Sequence, residues 1–88
     1  MAELDSLAAG LRELKDAQVV VLWRPFHEMN GNWFWWGKGH CTAEEYISLW
    51  RFTVSYLRDS LQVHNLLYTY STDMFETQEQ YLERYPGD

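Results

Sequence analysis

One cysteine, 2 prolines and 7 basic residues are all that the 88-residue chain has of each, and every shortage removes a class of protein. Cys41 alone forms no internal disulfide, and no cysteine or histidine pair has zinc-finger spacing, so neither a disulfide framework nor a metal is expected to hold the fold. No cofactor is expected either. Against 7 Lys and Arg stand 13 Asp and Glu, a formal net charge of -6, and the cations are scattered rather than clustered. That leaves no electrostatic footprint for nucleic acid or an anionic membrane. MAELDSLAAGLRELKDAQ, at the start, is acidic and amphipathic and lacks the basic and then continuously apolar regions of a secretory leader. No later stretch approaches the ~20 apolar residues of a membrane span.

What the chain does have is rings: aromatics make up 17% of it, with 5 Trp and 6 Tyr, which points to a dense core or to a site that binds through ring faces. Leu4, Leu7, Ala8, Leu11 and Leu14 recur at helical spacing and predict an amphipathic helix over 3–16. Gln18 to Trp23 is a nearly unbroken apolar, β-branched run, the pattern of a parallel strand covered on both faces, weakening at Pro25. Thr42 and Glu45 form a capping box that starts a second helix, with Tyr46, Ile47, Trp50, Val54, Leu57 and Leu61 as its apolar stripe. LLYTYST, 66–72, reads as a second strand, a weaker helical pattern spans 75–85, and YPGD reads as a turn.

Helix, strand, helix, strand, helix is an α/β order that calls for a parallel sheet. Two such strands cannot cover themselves, so the chain is expected to be part of a larger sheet. A (β/α)8 TIM barrel takes about 250 residues, and 88 would hold fewer than three of its eight units.

RPFHEMNGNWFWWG, from Arg24 to Gly37, follows the first strand. In α/β barrels the working residues lie at the carboxyl ends of strands and on the loops beyond, where His27 and Glu28 stand. Strand alternation would give Arg24, Phe26 and Glu28 one parity and aim Glu28 at the barrel axis, unless Pro25 introduces a bulge. Four residues of strand span roughly 13 Å, which sets Arg24 too deep to pair with Glu28. A zinc HExxH motif would need histidine at 31, which is Gly31. His27, His40 and Cys41 fit no recurring ligand spacing. Trp33, Phe34, Trp35 and Trp36 cannot all be core, because consecutive residues point different ways and Gly31, Asn32 and Gly37 mark irregular backbone. A tryptophan face beside a carboxylate suits a pyranose ring, whose hydroxyls need polar groups such as His27, Asn30 and Asn32.

The string RPFHEMNGNWFWWG strongly resembles the signature of glycoside hydrolase family 26, a family that contains many β-mannanases. The apolar run before it, LWRF in the second helix, YTYSTD and YPGD extend the resemblance over nearly the whole chain. The resemblance implies a (β/α)8 barrel of which residues 1–88 are a fragment of a single catalytic domain, about strands 4 and 5 with flanking helices. It implies a retaining endo-β-1,4-mannanase whose general acid/base is Glu28. His27 and Trp33 match positions that contact sugar, Asn30 and Trp36 match motif positions of the binding site, and Arg24 matches a structural support. Such enzymes use two carboxyl groups about 5 to 5.5 Å apart. The family's nucleophile stands on the seventh strand, so none is expected in this chain and the isolated chain is expected to be inactive. Asp73 is read as a loop or helix-cap residue, with Tyr70 and Ser71 better placed to reach the site. Mixed-linkage β-glucan or β-1,3-xylan as substrate, and a non-catalytic carbohydrate-binding or pseudoenzyme remnant, are the alternatives. An extracellular or cell-surface location is implied by resemblance only.

Overall fold

Helix α1 runs Ala2–Asp16, strand β1 Val21–Trp23, helix α2 Ala43–Ser55 with a wider π turn Tyr56–Ser60 continuing it, strand β2 Leu66–Tyr68 and helix α3 Gln78–Leu82. The computed structural model describes residues 2–87. β1 and β2 pair in parallel, Val21 opposite Leu66, Leu22 opposite Leu67 and Trp23 opposite Tyr68. The expected α/β order is therefore present, with both strands shorter than the apolar runs that predicted them.

The reason lies in how each helix hands over to its strand. Gln18 takes a left-handed φ of 62°, Gln18 N–H donates to Lys15 O at 2.9 Å, and Val19 N–H donates back to Leu14 O at 2.8 Å. This is a Schellman closure built on glutamine instead of glycine, and it uses up residues 18–20 before the sheet begins. The second crossover repeats it one residue wider: Gln62 has φ 58°, and Val63 N–H reaches Leu57 O at 2.8 Å because the π turn inserts an extra residue. At the other end, Thr69 N–H donates to Trp23 O and ends the ladder, so 70–72 leave the sheet. The helix expected over 75–85 is confined to Gln78–Leu82, where Thr77 and Gln80 form a second capping box. That cap, and not Asp73, starts the helix. The capping box of Thr42 and Glu45 forms as the sequence predicts.

Two apolar clusters hold these elements. Ala8 and Leu11 of α1 pack with Leu57 and Val63, against Val21, Trp23, Leu61 and Leu66. Beyond the carboxyl ends of the strands, Met29, Tyr46 and Trp50 are buried together, with Phe26, Trp36, Cys41, Val54, Tyr68 and Tyr70 around them. Arg84 closes this second cluster from the far end of the chain. Its guanidinium is buried over the Tyr46 ring and donates to the carbonyls of Cys41 and Thr42, so its charge meets dipoles and a ring face.

Only one face of the sheet is covered. Val21, Trp23, Leu66 and Tyr68 turn inward, while Leu22 and Leu67, which face each other across the ladder, are 72% and 59% exposed. Adjacent bare leucines on a two-stranded sheet are an adhesive surface. The isolated chain is expected to self-associate in size-exclusion chromatography, and Leu22→Ser with Leu67→Ser to move it toward the monomer. An unchanged profile would place the adhesive surface elsewhere.

Candidate active site

The motif begins where β1 ends. Pro25 is buried in a turn with Phe26, and Phe26 and Glu28 both take left-handed φ values, 51° and 55°. Strand alternation therefore stops at Trp23, and the parity that would align Arg24, Phe26 and Glu28 does not apply. The chain uses five steps from Trp23 to Glu28 where its neighbour uses three from Tyr68 to Ser71, and the two strands meet again as Glu28 N–H donates to Ser71 O at 2.8 Å. The surplus is taken up in the Pro25–Phe26 turn, which works as a bulge that re-aims the residues beyond it.

Left-handed backbone at non-glycine residues costs about 1 to 3 kcal/mol each and persists only where its surroundings hold it. Here the holding groups are identifiable. Tyr46 Oη donates to Phe26 O at 2.9 Å, Trp36 Nε1 to His27 O at 2.9 Å, and Lys38 N–H is shared between Met29 O at 2.9 Å and Gly31 O at 2.8 Å. Gly31 N–H returns to Glu28 O at 3.1 Å, and Met29 anchors the segment from below with no exposed surface. Burial, followed by the nearby Tyr70, raises the Tyr46 hydroxyl well above its ordinary range, so it stays a proton donor to the Phe26 carbonyl.

The four consecutive aromatics divide evenly. Phe34 and Trp36 stack at 4.3 Å and present edges to Phe26 and His27, closing the motif onto the second core. Trp33 and Trp35 are 54% and 63% exposed. Trp33 curls back so that its Nε1 lies 3.4 Å from Glu28 Oε1, a long hydrogen bond, and its ring lies across Gly31. A Cβ on Gly31 would fall 1.9 Å from the Trp33 ring, and one on Gly37 would fall 2.3 Å from the Gly31 carbonyl. Gly37 is required by this approach to backbone, whereas a side chain at Gly31 would have to displace the exposed Trp33 ring.

The expected site residues do not all converge. His27, Glu28 and Trp33 lie together, half-buried to exposed, at the carboxyl end of β1. Arg24 is exposed beside the strand end, and among the described residues the ion pair that forms is Arg58 with Asp59, not Arg24 with Glu28. Asn30 spends its side chain on residues 73 and 74, and Trp36 spends its indole N–H on His27. Tyr70 turns into the aromatic cluster, where its hydroxyl donates to Tyr81 O at 2.6 Å between the rings of Trp50, Tyr81 and Tyr85. At the end of β2, Ser71 hydrogen-bonds the motif through its carbonyl. His40 Nε2 is 2.7 Å from Asn32 O, and no group of three or more His, Cys, Asp or Glu side chains gathers among the described residues. Sequence reading gave Tyr46 only a place in a helix stripe. Its signal was available, since a tyrosine at a position leucine would fill needs a partner for its hydroxyl.

A carboxylate, a histidine and an exposed indole thus stand together beyond the end of β1. The chain belongs to glycosyl hydrolase family 26, whose model matches residues 1–88. It is 47% identical to a mannan endo-1,4-beta-mannosidase of Bifidobacterium adolescentis over 98% of its own length and 9% of that protein's. It is 42% identical to mannan endo-1,4-beta-mannosidase A and B of Caldalkalibacillus mannanilyticus, over 96% of the chain and 17% of the relative. Among solved structures, the catalytic domain of a Bacillus sp. JAMB-750 GH26 endo-beta-1,4-mannanase superposes with a TM-score of 0.91 at 49% identity, covering 98% of this chain and 24% of that one. The chain thus spans a quarter or less of these relatives. No helix among the described residues is long and apolar enough to cross a membrane.

Two measurements test this geometry. Gly31→Ala is expected to push the Trp33 ring off Glu28 and shift tryptophan emission to the red, an unchanged spectrum showing that the ring packs elsewhere. Burial, and then Tyr81, pushes the Tyr70 hydroxyl up to about 12 from an ordinary 10.0, so the folded state keeps a proton that the unfolded state releases first. The stability that this proton supports is complete below pH about 10 and is lost as pH rises through about 12. Urea midpoints should therefore fall across that window, and Tyr70→Phe should flatten the fall.

Proposed function

We propose that residues 1–88 are one sector, about strands 4 and 5, of the (β/α)8 barrel of a retaining endo-β-1,4-mannanase, carrying Glu28 as its general acid/base. The observation that carries the reading is Glu28 itself: it lies beyond the carboxyl end of a parallel strand, its backbone is held on both sides, and an exposed tryptophan lies against its carboxylate. Working groups of α/β barrels stand at that end of their strands. Three features support the sector reading. The sheet has two strands, each with one neighbour; its Leu22 and Leu67 face is bare; and the Tyr68 hydroxyl is buried without a partner among the described residues. A complete barrel covers such a face and supplies such partners.

The residues divide the chemistry. Trp33 offers an indole face on which the C–H face of a mannose ring stacks, and His27, next to Glu28 in the chain, is held against Phe34 and Trp36. Glu28 donates its proton to the departing glycosidic oxygen as a carboxylate elsewhere in the full enzyme bonds to the anomeric carbon. In the second step Glu28 takes a proton from water, whose oxygen displaces that carboxylate. The nucleophile lies outside this chain. The polysaccharide partner is mannan.

The test is reducing-sugar release from mannan by the full-length protein that contains this chain, compared with its Glu28→Ala variant and with the isolated 88 residues. The full protein is expected to cleave mannan, Glu28→Ala to lose about 100-fold or more, and the isolated chain to release nothing measurable. Cleavage of mixed-linkage β-glucan or β-1,3-xylan in place of mannan would move the substrate within the family. Full activity in Glu28→Ala would end its assignment as acid/base, and an inert full-length protein would favour the non-catalytic reading.

A further inference from the structure

Asn30 matches a motif position of the binding site, yet its side chain is spent on the loop after β2. Its Oδ1 accepts from Asp73 N–H at 2.7 Å, and its Nδ2 donates to Asp73 O at 3.2 Å and to Met74 O at 2.9 Å. Both amide hydrogens face carbonyls, so only the second lone pair of Oδ1 is left for a ligand. The side-chain amide thus treats Asp73 as a neighbouring strand would, giving to its carbonyl and taking from its N–H. It does so two residues after Glu28 N–H bonds Ser71 O, and Asp73 stands two residues after Ser71. The ladder that ends at Trp23 and Tyr68 resumes beyond the bulge with one backbone rung and one side-chain rung.

We infer that Asn30 is a positioning residue for the acid/base, a side-chain rung that locks the turn around Glu28 onto the loop after β2. This rests on the reading of Glu28 as general acid/base. Glu28 holds φ 55°, and the carbonyl of Glu28 is bonded by Gly31, so any swing of 29–31 turns the peptide that carries the carboxylate. Glu28 N–H to Ser71 O fixes one side of that residue, and the Asn30 amide fixes the other. Aspartate at 30 lacks the donor half of the rung, and alanine lacks both halves. Aspartate, which is isosteric, would set a carboxylate against the carbonyls of Asp73 and Met74.

Leaving-group chemistry separates positioning of an acid from binding of sugar. When the glycosidic C–O bond of mannan breaks, the departing sugar oxygen takes the proton of Glu28; dinitrophenolate departs from an aryl β-mannoside as a stable anion and needs none. In the full-length protein, Asn30→Ala and Asn30→Asp are expected to lower kcat on mannan roughly 10- to 100-fold, with KM changed by less than about twofold. On the dinitrophenyl β-mannoside, kcat/KM for the glycosylation step should fall by less than about threefold. Because both rates come from one preparation, their ratio is independent of the fraction folded. A raised KM at unchanged kcat would make Asn30 a sugar contact, and equal losses on the two substrates would make it a general structural residue; either overturns the inference. Glu28→Ala measured beside them should show the same preference for the activated leaving group. If it shows none, the acid/base reading fails first and the positioning assignment falls with it.

Discussion

The hydrogen bond from the Glu28 amide to the Ser71 carbonyl is the constraint from which the site is built. Between Trp23 and Glu28 one chain makes a longer excursion than its neighbour makes between Tyr68 and Ser71, and without a fixed far end that excursion would be an ordinary surface loop. The bond supplies the end. Once it is in place, Phe26 and Glu28 are obliged to left-handed backbone, and the groups around them are those that make such backbone tenable: the Tyr46 hydroxyl, the Trp36 indole and the Lys38 amide, each on a carbonyl of the turn. Precision of this kind is what the proposed acid/base role of Glu28 requires, since proton transfer depends on reaching a particular oxygen at hydrogen-bond distance.

The repeating parts of the structure were legible in the residues, and the irregular parts were not. Helical spacing from Leu4 to Leu14 located α1, and Thr42 with Glu45 located the first turn of α2, because both signals are local and periodic. The strands came out shorter than their apolar runs. Gln18 and Gln62 enter left-handed closures that nothing about glutamine announces, since that geometry is set by where the crossover must land. The same holds at the site. Position in the chain and the family resemblance made Glu28, His27 and Trp33 the candidates, but alternation could not place Glu28, because the turn at Pro25 breaks the period on which alternation depends. Nor could it show that Tyr70 points into the aromatic cluster, or that Asn30 turns to Asp73, since both depend on contacts more than ten residues apart.

The two apolar clusters have separate tasks. Ala8, Leu11, Leu57 and Val63 hold α1 and the amino ends of the strands with side chains that carry no polar atoms. The cluster under the motif is aromatic instead, and the difference comes from the loop that lies above it. Residues 24–41 have neither helix nor strand pairing to satisfy their carbonyls, and burying an unpaired carbonyl costs about 1 to 3 kcal/mol. Backbone N–H groups within the loop meet several of them, and an aliphatic core would leave the Phe26 and His27 carbonyls without their donors. Tyr46 and Trp36 fill that volume and each carries one donor at its tip, which falls on the loop carbonyls of Phe26 and His27 respectively, while the Tyr70 hydroxyl ties the same cluster to the Tyr81 carbonyl of α3. The chain's wealth of tyrosine and tryptophan therefore has two origins. Trp33 and Trp35 are exposed, whereas buried rings let an irregular loop rest on an apolar core because that core also supplies hydrogen-bond donors.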